Sequence, residues 1–468
     1  MAFQRIGVAA LSLSLLAASV AAQEPVAEAR ALLKTIVEIN STHEHGSTTP
    51  IARLLAARFI AAGFPAADVQ VLGPGPKKQN LVVRWRAVAP TQKPVLFMSH
   101  LDVVEAKRED WGTDAFKFVE KDGYFYARGI WDDKAAVTTW VTGLISLRKE
   151  GWKPSRDIIL ILTADEEAGT EDGVEWLIKN HRPLVDAEFS INGDGGGPEL
   201  HGGKVTVVRV EPAEKNSVFY KLTATNAGGH SSRPRADNAI YQLSNALARL
   251  EQYQFPAQLS ELQRAGLQKA METMTPAMAV AAKAFLANPS DASAATTLSR
   301  DPEFNAMLRT TCVATELAGG HARNALPQLA TATVNCRILP GVTPDAIAAQ
   351  LRTIVSDSAV HVGYEQPPRP SADASPLRAD YFDSILGAAK AVWGPDITLQ
   401  PALSIGASSG IYARAAGIPT YSVMHIPYDF SDIRAHGRDE RISAQAFDAS
   451  VAFARKLIRA LAAPRLTP

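Results

Sequence analysis

Cysteine, net charge and long apolar runs are all scarce in this chain of 468 residues. The only two cysteines, Cys312 and Cys336, rule out a disulfide scaffold. Lys and Arg together number 48, as do Asp and Glu, so the basic excess of a nucleic-acid binder and the acidic excess of a solvating tail are both missing. Beyond residue 22 no stretch is apolar enough for the roughly 20 residues that span a bilayer. There is no internal repeat and no low-complexity linker. What remains is the composition of a soluble globular protein, 46% hydrophobic and 21% charged. The length allows about three domains of roughly 150 residues each.

Residues 1–22, MAFQRIGVAALSLSLLAASVAA, place Arg5 before an apolar run from Ile6 to Ala18 and end in small residues. This is the layout of a secretory signal peptide with cleavage after Ala22. Cleavage would remove one arginine and no acid, and leave a periplasmic or extracellular protein with no membrane attachment. In that compartment a disulfide persists. Cys312 and Cys336 lie in two strand-like runs, RTTCVATEL and TATVNCRIL, with Asn324 midway. The sequence leaves open whether they are bonded across a hairpin or remain a free buried pair.

Residues 28–39 and 50–62 carry apolar residues at helical spacing. Strand-like runs LVVRWRA, PVLFMSH, DIILILT and EFSIN alternate with helical stretches from Lys134 to about Lys149 and from Gly173 to Leu184. Short, continuously apolar strands alternating with helices predict a mostly parallel α/β sheet with helices on both faces. From Glu211 the pattern changes. SVFYKLTAT, a helix from Asn238 to about Tyr253, the two cysteine-bearing runs, a helix at Pro344–Val355 and AVHVGYE follow a β-α-β-β-α-β order, as in a ferredoxin-like α+β layer. An Ala-rich helical insertion covers about 256–305. Helices and apolar runs return after Pro367. The reading is therefore a signal peptide (1–22), a large domain in two parts (23–210 and 368–468), and a smaller α+β domain (211–367) that interrupts it.

Unusual polar residues sit where the predicted parallel strands end, the edge at which ligands bind in open α/β sheets. His100-Leu101-Asp102 closes one strand, Asp165-Glu166-Glu167 follows the next, and Asn192-Gly193-Asp194 a third. Asp132-Asp133-Lys134 opens a helix, and His436 stands in AHGRDER. Singly, these are an N-cap, a solvated turn and a surface histidine. Together they form a carboxylate cluster that repels itself unless cations neutralise it, and with two histidines it offers oxygen and nitrogen ligands suited to zinc.

SHLDVV, WGTDAF, DGYFYARGIWDDKAA, TADEEAG, NAGGHSSRP, HARNALP, TVNCRILPG and AHGRDERI, in this order, resemble the two-zinc hydrolases. That family includes bacterial glutamate carboxypeptidase, aminoacylase-1, acetylornithine deacetylase, carnosinase and the vacuolar carboxypeptidase of yeast. The resemblance implies two Zn2+ per subunit, with Co2+ or Mn2+ as substitutes. His100 and Asp194 would hold one, Glu167 and His436 the other, and Asp132 would bridge them. Asp102 would orient His100 by accepting its second ring N–H. Asp133 would be structural. Glu166 would be the general base for a metal-bridging hydroxide, passing the proton to the leaving amine.

In the inserted domain, a lid and dimerisation domain by the same resemblance, His230 would stabilise the oxyanion in the active site of a partner subunit. Asn324 and Arg337 would hold the substrate's end, Arg337 by clasping a free carboxylate; a structural salt bridge is the other reading of Arg337. Ser404–Gly410 departs from the family, in which many members carry a Gly-Thr-Asp type loop. Gly406 would let backbone approach the substrate. His43, His45, His181, His201, His321, His361 and His425 match no ligand position, and His425 is the one expected nearest the site. The implied activity is an exported zinc hydrolase of an amide next to a free carboxylate, a carboxypeptidase or dipeptidase acting as a homodimer. An N-acyl-amino-acid deacylase of the same mechanism is the alternative, and a non-catalytic exported peptide-binding protein a third.

Overall fold

The computed structural model describes residues 25–464 except 170 and 273, so the expected signal segment lies outside the described residues. The chain divides into two compact units. The first comprises the residues up to Val210, Leu377–Leu399 and those from Ile418 onward; the second is Glu211–Pro376 with Gln400–Gly417. Residues 368–376 and 400–417, expected in the larger domain, belong to the second unit, and local bonds explain the difference. Asn216 donates to the carbonyls of Arg369 and Pro370, Ser375 to that of Pro212, and Lys215 to that of Ser404. Arg414 lies 2.9 Å from Glu214, which also accepts from Ser408.

In the first unit Val95–His100 pairs in parallel with Ile158–Thr163 on one side and Phe189–Asn192 on the other, and Thr420–Ser422 continues the parallel run. Every residue of Val95–His100 and of Ile158–Thr163 is buried, which requires cover on both faces. The core joins Phe97, Leu160 and Phe189 from these strands to Trp140 and Leu144 of the helix Ala135–Lys149 and to Phe453 and Leu457 of the helix Ala444–Leu461. The register sets His100 opposite Thr163, so the parallel strands present their carboxyl ends, and the polar residues that follow them, along one edge. A strand absent from the sequence reading, Val69–Gly75, pairs antiparallel with Lys78–Trp85 at the sheet's rim; its closing Gly-Pro-Gly masks its alternation. A second small sheet lays Arg441–Ser443 against Tyr124–Tyr126, which brings the end of the chain beside the 128–132 loop.

The second unit has the expected ferredoxin-like order. Its strands run Thr311–Gly319, Leu329–Ile338, Asn216–Thr225, Val360–Tyr364 across an antiparallel sheet. Val218, Tyr220 and Leu222 alternate inward against Leu243 and Leu351 of the helices Ala239–Gln252 and Pro344–Val355. Asn238 caps the first helix by accepting from the amides of Ile240 and Tyr241, and Thr343 caps the second through the amide of Ala346. The insertion forms four helices between Glu261 and Leu308, with a core of their own around Leu267, Phe285 and Leu298.

Cys312 faces Cys336 across the antiparallel pair, and the two are disulfide-bonded, which settles the alternative left open above. The bridge closes a loop over a sequence separation of 24. Removing it by C312S/C336S should destabilise this sheet by about 3 kcal/mol, roughly a hundredfold in amide exchange of Thr311–Gly319 and Leu329–Ile338. Unchanged exchange would contradict a stabilising role. No helix of the described residues is long and apolar enough to cross a membrane.

Candidate metal centre

The site in the first unit is assembled from three strand ends and two loops. His100 ends its strand with its ring buried. Its Nδ1 lies 2.9 Å from the backbone carbonyl of Asp102, which must accept, so Nδ1 carries a proton and Nε2 is the atom turned to the site. The Asp102 carboxylate is 3.7 Å from that ring and instead accepts from the amides of Glu166 and Glu167 at 3.2 and 3.0 Å. Asp102 thus meets His100 at hydrogen-bond distance through its carbonyl, while its carboxylate both faces the ring and fixes the Glu166-Glu167 turn.

Asp132 is the centre of the arrangement. Its Oδ1 lies 2.8 Å from His100 Nε2 and its Oδ2 lies 3.1 Å from His436 Nε2. His436 in turn lies 3.0 Å from Glu167 Oε1. The ligand atoms of His100, Asp132 and Glu167 fall within 4.8 Å of one another. Asp132 caps no helix: the helix begins at Ala135 and draws no side-chain cap. Asp133 turns inward, fully buried, and accepts from the His100 amide at 3.2 Å, the structural role expected of it. Asp194 is half-buried and held locally by Asn192, with Asp132 and Glu166 as its nearest acidic neighbours in charge. Gly193 beside it has no room for a side chain, since a Cβ there would sit 2.4 Å from Ser99 Oγ and 3.0 Å from Ala136 Cβ.

The charges show what this cage needs. Burial, then the charges of Asp132 and Glu166, push the Asp194 carboxyl well above its ordinary value. Burial and Asp132 also raise Glu167. His436 is pushed up to about 10 by its hydrogen bonds to Asp132 and Glu167. Burial works against the charged form of His100, but its bonds to Asp102 and Asp132 prevail and raise it. Without cations, protons must supply the positive charge, and two imidazoles and several carboxylates compete to hold them. The donor set fits hard or borderline divalent cations.

Two further networks brace the site, one around Glu440 and one around Asp165. Glu440, buried among backbone amides, ion-pairs with Arg128 at 2.7 Å. Asp165, with a left-handed φ of 65°, receives His43 Nδ1 at 2.7 Å, Lys78 Nζ at 3.0 Å and the Glu171 amide at 2.7 Å, which anchors the turn leading into Glu166. His43 therefore touches the site's scaffold. His425, by contrast, is a core residue wedged against Trp140 and Phe453 and bonded to Thr139; burial pushes it down to about 3, so it stays neutral. In the sequence Asp165 shows as the acid preceding Glu166-Glu167, and Glu440 and Arg128 show within AHGRDERI and DGYFYARGIWDDKAA without any sign of their pairing.

A model of the peptidase family M20/M25/M40 matches residues 96–460, a span that holds His100, Asp132, Glu166, Glu167, Asp194 and His436. The chain belongs to that family. Its relatives include human N-fatty-acyl-amino acid synthase/hydrolase PM20D1, 31% identical over 388 residues that cover 79% of this chain and 74% of that protein. Aminoacylase-1B of Rattus norvegicus is 25% identical over 449 residues, 91% of this chain and 97% of the relative. In fold, the M20 family metallo-carboxypeptidase Sso-CP2 from Sulfolobus solfataricus superposes with a TM-score of 0.70 at 17% identity, covering 92% of this chain and 98% of that one. The M20 chain is thus a hydrolase of the metallopeptidase type acting on amide bonds, which sets aside the non-catalytic binding protein.

The remaining candidates of this M20 chain lie in its second unit. Gly229-His230 pairs with Ala325-Leu326, and the Asn324 carbonyl accepts from the Ser231 amide, so His230 and Asn324 are neighbours, both exposed. The Ser232 amide donates to His230 Nδ1 at 3.2 Å, which leaves the neutral ring with its proton on Nε2. Arg337, half-buried on Leu329–Ile338, stands opposite Ser217 and Thr311, and its charge helps burial push Lys215 down to about 7. Gly406 is exposed, and a Cβ there would meet only Ser404 Oγ at 3.5 Å, so the chain's own packing does not demand glycine.

With its imidazole pushed up to about 10 by Asp132 and Glu167, His436 of the metal-free protein is imidazolium at pH 8. Zn2+ binding must then displace protons. Calorimetric titration in buffers of differing ionisation enthalpy should show at least about one proton released per protein at pH 8, and less above pH 10. Binding without proton release would contradict the assignment of His436 as a ligand.

Proposed function

We propose that this chain is an exported, two-zinc hydrolase of an amide bond adjacent to a free carboxylate, either a carboxypeptidase or dipeptidase or a deacylase of N-acyl amino acids. The observation that carries the reading is Asp132, whose two oxygens address two different imidazoles, as a carboxylate shared by two cations does. His100, Asp132 and Asp194 would hold one cation, and Asp132, Glu167 and His436 the other. Bound there, the pair supplies Lewis acidity to the scissile carbonyl and acidifies a water near neutral pH.

The chain's own groups do the rest. Glu166 is buried beside the cage, its amide pinned by Asp102, and it takes the proton of the attacking water and returns it to the departing nitrogen. His230 donates Nε2–H to the developing oxyanion, in a partner copy's site as the family resemblance implies. Arg337 and Asn324 take the substrate's carboxylate end, and Gly406 leaves its loop's backbone open to it. The substrate class is supported by the names of the relatives, an N-fatty-acyl-amino acid hydrolase and an aminoacylase, since cleavage in an N-acyl amino acid falls next to a free carboxylate. Export is supported by the layout of residues 1–22 and by the Cys312–Cys336 bridge, which persists in oxidising compartments. A homodimer is supported by the edge strand Thr311–Gly319, which leaves Val313 and Leu317 exposed along an unpaired side.

A panel of free dipeptides, C-terminally amidated peptides and N-acyl amino acids, assayed with added Zn2+, tests the function. Free acids should be cut and amidated peptides should not; equal rates would refute the role of Arg337. E166Q should keep its zinc and lose about 10²–10⁴-fold in kcat. Near wild-type kcat in E166Q would remove Glu166 from the mechanism.

A further inference from the structure

Glu440 lies four residues after His436 and is separated by more than 300 residues from the loop that carries Asp132, yet its carboxylate is bonded almost wholly to that loop. Oε2 accepts from Arg128 at 2.7 Å and from the Gly129 amide at 2.9 Å. Oε1 accepts from the amides of Trp131 and Asp132 at 2.8 and 3.2 Å. Arg128 then reaches the other way, donating to the carbonyls of Gly437 at 3.1 Å and His436 at 3.4 Å. The Ala127 amide adds a bond to the Glu440 carbonyl, and Trp111 stacks under the guanidinium. Gly129 adopts φ 73° and a Cβ there would meet Val103 Cγ1 at 2.1 Å, so the loop packs against Val103 too closely for any side chain at that position.

We infer that Glu440, with Arg128, is a positioning residue that fixes the Asp132 carboxylate against the His436 imidazole, so that the cation held by Glu167 and His436 finds its ligands already assembled. The inference rests on the reading of Asp132 and His436 as ligands. It has an asymmetric consequence. The cation on the His100 side shares only Asp132 with this network, since His100 is set by its strand, by Asp133 and by the Asp102 carbonyl, whereas the other cation relies on both Asp132 and His436 and so depends more on Glu440. A carboxylate accepting four donors is not replaceable by an amide, whose NH2 would oppose the backbone N–H groups.

The test is titration of the full-length protein with Zn2+ alone, and with Co2+ for its visible absorption, in wild type, E440Q and R128K. Wild type should bind two ions. E440Q should weaken one of them by about 10–100-fold, leaving the other within roughly threefold, and should change the Co2+ spectrum of the weakened site. R128K keeps the charge on Glu440 but cannot bridge to both carbonyls, and should fall between. A general loss of stability would weaken both ions alike, and that result overturns the inference, as does E440Q binding both ions as wild type does. Wild type that binds fewer than two ions defeats the functional reading itself, and the inference with it. Should E440Q fail to fold by circular dichroism, R128M/E440L, which leaves no lone buried charge, is judged by the same asymmetry.

Discussion

The first unit depends on one unfavourable concentration of charge. Three parallel strands end at a common edge, and there the charges of Asp132 and Glu166 bear on Asp194 and that of Asp132 on Glu167. Carboxylates so gathered and partly buried do not all ionise in a low-dielectric setting without positive charge among them. The raised carboxyls of Glu167 and Asp194 and the raised imidazoles of His100 and His436 are expressions of that constraint. Much of the surrounding structure exists to hold the groups in place: Asp102 on the Glu166-Glu167 turn, Asp165 on its approach, Glu440 on the Asp132 loop.

The scaffold around this edge is accordingly stiff. Both central strands are buried along their whole length, and Trp140 packs on Phe97 at 4.5 Å between centroids directly behind the site. Such packing lets a strand end serve as a fixed mounting point. The second unit is built differently, a single-faced sheet whose disulfide and capped helices compensate for a thinner core.

What the sequence disclosed and what it hid follow from the range of each interaction. Runs such as DIILILT announce a doubly covered strand because all their positions are apolar, and the polar residues after them stand out by contrast. His100, Glu166, Glu167 and Asp194 were visible for that reason, and the β-α-β-β-α-β order of the second unit was visible in its alternation. Hidden were the pairings between distant segments. Nothing local in Arg128 or Glu440 points to the other, 312 residues away. Nothing local assigns 400–417 to the second unit, since its ties to Glu214 and Lys215 form only in three dimensions. Asp102, two residues from His100, also accepts from the amides of Glu166 and Glu167, a tie to a turn 64 residues on that nothing local announces.

The central claim is that Asp132 stands between two cations. Anomalous diffraction at the zinc edge, from crystals grown with Zn2+, measures this directly. The account predicts two peaks flanking the Asp132 carboxylate, one touching His100 and the other touching Glu167 and His436. A single peak, or peaks only at an exposed group such as Glu44, His45 and Glu105, would contradict it.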